Sequence, residues 1–215
     1  MPRLKHTTPR PPAGGRRAQQ KAETRQLVLE SAKALFEEQG FERTTIRAIA
    51  RRAGVGLGTI FGHFPDKASL LIAALLDDLG QVQGAALASM PAQVSFREQC
   101  LHFVGSFYAY YARRPELSQT LLKEFLFVGG DWGAKVRQDA LAGLDLGAGM
   151  LELAKSRGEI GAGVDCRLAA MAIFATYLGV LYAGLSQPQV RPREMLEHFS
   201  RMLDQLLAGI GPRRA

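Results

Sequence analysis

The stretch TTIRAIARRAGVGLGTIFGHF, residues 44–64, carries Gly54, Gly56, Gly58 and Gly62 within nine positions. Such a run is either a loop that cradles phosphate or a pair of short helices whose turn and close approach need glycine. A dinucleotide fingerprint requires Gly-x-Gly-x-x-Gly after a strand, but GLGTIF puts Phe61 at the last position, and no Gly-Lys-Ser/Thr follows for a P-loop. What precedes is a short charged helix, not a buried strand. The helix-turn-helix reading meets its packing requirements. Ala50 is small where two helices cross, and Gly54, four residues on, supplies the positive φ of a tight turn. Val55 and Ile60 then anchor the second helix. Arg43, Arg47 and Arg51, each four apart, form one basic side that Arg52 extends, as expected of a helix presented to DNA.

Working outward, Val28, Ala32, Leu35 and Phe36 share one face of a helix over 23–39. Gly40 stands where a left-handed residue ends that helix, and Phe41 can fold back on it. Thr44 or Thr45 is the natural N-cap of the next helix. A third short helix is expected over 57–64, and Asp66 caps a fourth that begins with KASLLIAALLDDLG. Beyond Gly80 come longer amphipathic or apolar helices over about 95–113, 116–128, 131–156, 165–186 and 193–209. Pro115, Pro188, Pro192 and the GEIGAG run at 158–163 separate them. No strand-like alternation occurs. The expected fold is all-α: a disordered basic tail over 1–22, a three-helix head over 23–68, and a larger helical body over 69–211.

Six of the seven net positive charges lie in residues 1–22 (Arg3, Lys5, Arg10, Arg16, Arg17 and Lys21, with no acid), which leaves one for the rest. The tail therefore invites a polyanion, while bulk charge says little about the folded part. Cys100 and Cys166 give neither a disulfide framework nor metal spacing, and are expected as reduced, buried thiols of a cytoplasmic protein. His6, His63, His102 and His198 lack ligand spacing, so no metal is expected. Residues 168–190 contain no charge and are long enough to cross a bilayer. Alanine and glycine dominate there, however, and Ala175, Gly179, Ala183 and Gly184 suit close packing in an interior or a subunit interface.

TTIRAIARRAGVGLGTIFGHFPDKASLL, preceded by LFEEQGFERT, resembles the DNA-binding domain of the tetracycline-repressor (TetR/AcrR) family of bacterial transcriptional regulators over about residues 24–72. The Gly-Phe, Thr-Thr, Ala-Gly-Val and His-Phe-x-x-Lys elements recur in order; the remaining residues match only in helix lengths and order. The resemblance implies a homodimer whose heads bind double-stranded DNA at a palindromic operator and whose body binds a small inducer. It also implies phosphate contacts from Thr44 or Thr45, His63 and Lys67, base or phosphate contact from Arg47, and a recognition helix presenting Leu57, Gly58, Thr59 and Phe61. Three positions depart from the family pattern: Gly56 replaces a common polar cap, Phe61 a usual tyrosine, and Gly62 a larger polar residue. That leaves chiefly Leu57, Thr59 and Arg47 to read sequence, with help from DNA shape.

Aromatic residues gather in the body, with Phe103, Phe107 and Tyr111 on one face at i, i+4, i+8, and Phe125, Phe174 and Tyr177 further on. The resemblance assigns this region to the inducer, so these six become the candidate ligand-binding residues for an apolar or aromatic molecule. By the same resemblance the last two helices form the dimer, one side of 168–186 facing the core and the other the partner. Met195, Phe199, Met202, Leu203 and Leu206 supply the final helix's apolar stripe. Gly-x-Ser-x-Gly, His-Glu-x-x-His and Cys-x-x-Cys are all missing, so nothing names a nucleophile, a base or a cofactor. The expected function is ligand-responsive regulation, most naturally repression. A non-specific nucleic-acid binder acting through its tail, an all-α enzyme and a membrane-anchored protein are the alternatives.

Overall fold

The computed structural model describes residues 13–91 and 93–210, and every regular element among them is helical. The chain divides into two compact units, Met1–Leu70 and Leu71–Ala215. In the first unit, α1 runs from Ala13 to Gln39, ten residues earlier than its apolar stripe predicts. Residues 16–22 are Arg, Ala, Gln and Lys, good helix formers that the neighbouring Pro/Gly-rich stretch conceals. The Gln19 amide donates to Glu23 at 3.1 Å, one turn on. Arg16, Arg17 and Lys21 are therefore helical, not part of a structureless tail. The remainder of that tail, with Arg3, Lys5 and Arg10, lies outside the described residues, as does Gly211.

Gly40 adopts φ +81° and its N–H donates to the Phe36 carbonyl at 3.0 Å. The Phe41 ring then returns to within 5.5 Å of the Phe36 ring, the expected fold-back. Thr45, in extended backbone, caps α2 (Ile46–Ala53) by accepting from the Ala48 N–H at 3.1 Å. Gly54 closes α2 in the left-handed region at φ +67°, with its N–H and that of Val55 turned back on the Arg51 and Ala50 carbonyls. α3 (Leu57–Phe61) is shorter than the 57–64 predicted. The His63 and Phe64 N–H groups both turn back onto the Ile60 carbonyl, tightening the chain after one and a half turns. Val28, Ala32, Phe36, Ile49, Ala50, Ala53, Ile60 and Phe64 are buried and form the core of this unit.

α4 (Lys67–Ala88) opens on Asp66, whose carboxylate accepts from the Ser69 N–H, and continues eight residues past the expected stretch. In the second unit, α5 (Phe96–Ala112) starts with a reciprocal Ser95–Glu98 capping box. α6 (Pro115–Phe127) has proline in its first turn, and α7 is Gly130–Ser156. α8 (Cys166–Leu185) is capped by Asp165, which accepts from the Arg167 and Leu168 N–H groups, and α9 is Pro192–Ile210. α8 packs on α7 and α9, and α5 on α9. Gly184 lets this happen, because a Cβ there would lie 2.6 Å from the Met195 side chain. Arg97 ties α5 to α9 through Asp204 and the Ser200 hydroxyl. Tyr108, Leu151, Leu181, Leu185, Phe199 and Leu203 are fully buried, each large side chain stabilising the fold by about 1.5–3 kcal/mol. α4 and α8 are long and apolar enough to cross a membrane by length and composition, and in this fold both contribute to the buried interior.

The turn at Gly54 yields a stability test. A Cβ there meets no neighbour within 4 Å, so only its backbone conformation penalises a side chain. Gly54→Ala is expected to destabilise the head by about 1–2 kcal/mol. Chemical denaturation followed by circular dichroism measures this, and an unchanged midpoint would contradict it.

Candidate nucleic-acid interface and ligand cavity

The exposed side of the head begins at α2. Its arginines divide by partnership: Arg43 donates to the Gln39 carbonyl at 2.7 Å, and Arg52 pairs with Glu38 at 2.6 Å. That pairing holds the Glu38 carboxyl below its usual range and pushes the Arg52 guanidinium up. Arg47 and Arg51 are exposed and make no side-chain hydrogen bond or ion pair among the described residues. On α3, Gly58 and Thr59 are exposed, as are Leu57 (37%) and Phe61 (53%), an unusual display of large apolar side chains for a single short helix. Gly56 sits at the N-cap without a side-chain bond, as its identity requires.

Two of the predicted phosphate groups are otherwise engaged. Thr44 is buried at 1% exposure, and its hydroxyl lies 2.8 Å from the Gly40 carbonyl and 3.1 Å from that of Leu35. It fastens the α1–α2 turn and is removed from the DNA-contacting set; Thr45, exposed at the cap, is the threonine left for that role. The Lys67 ammonium donates to the Phe41 carbonyl at 2.8 Å and the Glu42 carbonyl at 3.4 Å, and lies 4.2 Å from the Phe41 ring centroid. Only its third proton is uncommitted. His63 is half-buried; burial first, and the nearby Lys21 and Arg25 charges second, push its imidazole below the usual histidine range. Lys21 and Arg17 stand one turn apart on exposed α1, a basic extension beside His63 that the tail assignment had hidden.

In the second unit, α4 to α8 enclose a cavity of about 490 Å³. All six aromatic candidates line it: Phe103, Phe107 and Tyr111 from α5, Phe125 from α6, and Phe174 and Tyr177 from α8. Phe103 and Phe107 lie 5.1 Å apart, and Phe174 and Tyr177 5.8 Å apart, between ring centroids. Phe96, at the start of α5, joins them in the lining, whereas Phe127 is 86% exposed and Tyr110 donates to Asp78 at 3.2 Å. Aliphatic walls from α4 (Leu76, Leu79) and α7 (Leu144, Met150) complete the lining. Sequence reasoning missed them because leucine and methionine on an amphipathic helix look the same facing a core or a cavity. Among the described residues, Asp139 is the one charged residue in the lining. Cys100 also faces the cavity, its thiol pushed up to about 12 by burial, which keeps it protonated and inert.

A second apolar surface lies on the outward side of α8. Leu168 (61%), Met171 (50%) and Tyr182 (66%) are exposed there, together with Ala172, Ala175, Gly179 and Ala183 at helical spacing along one face. Of the apolar stripe of α9, Met195, Phe199 and Leu203 are buried within the chain itself, whereas Met202 points outward at 49% exposure.

The left-handed turn at Gly54 between α2 and α3 is that of a helix-turn-helix head. Residues 28–74, which include α2 and α3, match the family model of bacterial regulatory proteins of the tetR family. It is similar to the transcriptional repressor KstR of Mycobacterium tuberculosis, 27% identical over 116 residues covering 54% of this chain and 53% of that one. It is also similar to the A-factor receptor protein of Streptomyces griseus, 28% identical over 163 residues covering 74% of this chain and 54% of the receptor. The chain thus spans about half the length of the curated relatives it matches. Among solved structures, the fold is shared with the Thermus thermophilus repressor FadR in complex with lauroyl-CoA (TM-score 0.74, 22% identity, 89% of this chain and 97% of that one). It is also shared with Bacillus subtilis FadR in complex with stearoyl-CoA (TM-score 0.68, 22% identity, 86% and 98%).

The bare recognition helix makes stability and binding separable. A Cβ at Gly58 would meet nothing within 4 Å, in ordinary helical backbone. Gly58→Ala is therefore expected to stabilise the head by up to about 1 kcal/mol. If the glycine serves close backbone approach to DNA, the same variant binds its operator more weakly. Melting temperature and gel-shift affinity, measured on one preparation, should move in opposite directions.

Proposed function

We propose that the protein is a ligand-responsive transcriptional regulator, acting as a repressor in the cytoplasm, that binds a palindromic operator as a homodimer and is released when a small apolar molecule occupies the body cavity. The observation that carries this reading is α4, one unbroken helix that begins in the head at Lys67 and contributes Leu76 and Leu79 to the cavity wall. A ligand in the cavity would therefore touch a helix whose first turn belongs to the head. The repressor names of KstR and FadR support the sign of control, and the acyl-CoA molecules held by the FadR proteins support an acyl-bearing effector. The apolar lining of this cavity suits an acyl or aryl chain.

Arg47 is assigned base reading, because its guanidinium is free and pairs bidentately with guanine, while Leu57, Thr59 and Phe61 offer apolar surface to thymine methyl groups. Thr45, His63, Gly58 and the remaining proton of Lys67 serve the backbone. In vitro selection of operators by the full chain tests this directly and is expected to return an inverted repeat. Arg47→Ala should cost about 1–3 kcal/mol and relax one position in each half-site. An unchanged motif in that variant would remove the base-reading role.

Dimerisation is assigned to α8 and α9. The outward face of α8 is apolar and rich in small residues, the composition that lets two helices approach closely, and an apolar face of this length costs free energy while it faces water. Leu168→Glu paired with Met171→Glu places like charges opposite one another across a two-fold axis. The double variant is expected to elute as a monomer in light-scattering chromatography, with its circular dichroism preserved and its palindrome binding lost. Retention of the dimer would move the interface elsewhere.

A further inference from the structure

Within the apolar cavity, two phenols face each other. The Tyr177 and Tyr111 hydroxyls are 3.2 Å apart, and both side chains line the cavity. Tyr111 is only 7% exposed. A pair of hydroxyls has two protons, and the bond between them uses one. The other has no acceptor among the described residues: no further hydrogen bond is made by either phenol oxygen.

The surroundings keep the pair in place. Tyr177 is stacked on Tyr108 at 5.6 Å with an interplanar angle of 15°, and the Tyr108 hydroxyl donates to the Tyr177 carbonyl at 3.1 Å. Phe107 and Phe174 flank the same ring at 6.2 and 5.8 Å. On the other side, the buried Ser118 hydroxyl donates to the Tyr111 carbonyl at 2.9 Å. Burial pushes both phenols above their usual range, so both carry their protons at neutral pH. A buried donor proton with no acceptor leaves a hydrogen bond unmade, which a ligand oxygen can complete.

We propose that the Tyr111–Tyr177 pair is the polar anchor of the cavity and that it selects an apolar ligand bearing a neutral carbonyl oxygen, such as a ketone, ester or thioester, over the corresponding carboxylate. The free proton donates to the carbonyl, and the rest of the molecule fills the aromatic and aliphatic walls. A carboxylate is disfavoured because, among the described residues, the lining contains no lysine or arginine, and the charged residue in it is Asp139. An anion there would lose its water without gaining a counter-charge. The inference rests on the cavity's being an effector site, and it specifies the chemistry of that site.

Three probes of matched shape separate the possibilities: hexanophenone, hexylbenzene and 6-phenylhexanoate, each competed against Nile red in the full-length protein. Hexanophenone is expected to bind at least about tenfold more tightly than either of the others, in line with one buried hydrogen bond. In Tyr111→Phe/Tyr177→Phe the ketone should fall to the level of hexylbenzene, while hexylbenzene itself binds as before. Tyr110→Phe, whose hydroxyl serves Asp78 outside the lining, should keep the full preference. Unaltered hexylbenzene binding in the double variant also certifies that the cavity is still folded; if that variant does not fold, Tyr111→Phe alone carries the comparison. Equal or tighter binding of the carboxylate overturns the proposal, as does a ketone preference that survives loss of both hydroxyls. If hexylbenzene binds as well as the ketone in the wild type, the anchor is refuted while the effector cavity stands. If Nile red does not bind at all, both readings fall.

Discussion

The left-handed backbone at Gly54 is the constraint on which the head depends. At φ +67° the chain leaves α2, and by Leu57 it has entered α3, so that Ile60 reaches a core already lined by Ile49, Ala50 and Ala53. A right-handed residue at that position continues α2 and carries Ile60 away from its pocket. The same turn brings α3 to the surface with its glycines and its exposed Leu57 and Phe61 outward. Local conformation, burial and the presentation of the surface assigned to DNA thus follow from one dihedral angle.

In the body, the corresponding constraint is that α8 is apolar on every side. One face lines the cavity through Phe174 and Tyr177, another receives Met195 of α9 against Gly184, and the third displays Leu168, Met171 and Tyr182. This is why the segment carries no charge over 168–190, a pattern that length alone equates with a bilayer span. Helices that are buried from several directions and helices that sit in lipid satisfy the same composition. The Tyr111–Tyr177 hydroxyl pair marks the difference, since it places a polar, directional group inside an otherwise apolar enclosure.

Much of this was legible in residue order. Gly40 and Gly54 are read correctly because positive φ has a strong sequence preference and a fixed place at the end of a helix. The six aromatic candidates converge on one cavity because i, i+4, i+8 spacing already places three of them on one face of α5. Other residues were misjudged where the deciding partner is far away in sequence or is a backbone atom. Thr44 and Thr45 are neighbours of the same type, yet one hydroxyl is buried against the Gly40 and Leu35 carbonyls while the other caps α2. Lys67 looks like a free surface cation until the Phe41 carbonyl, 26 positions earlier, is found to hold it. The helical start of α1 was obscured by nearby proline and glycine, although residues 16–22 themselves favour a helix.

By itself, the sequence determined the helical class and the helix-turn-helix with its turn, because these depend on local periodicity, capping and positive φ within windows of a few residues. Only the tertiary structure decided which hydroxyls and cations are spent on the fold, which leucines face a cavity, and that Tyr177 donates inside it to Tyr111, 66 positions earlier. Those outcomes depend on distances between elements, which no local pattern encodes.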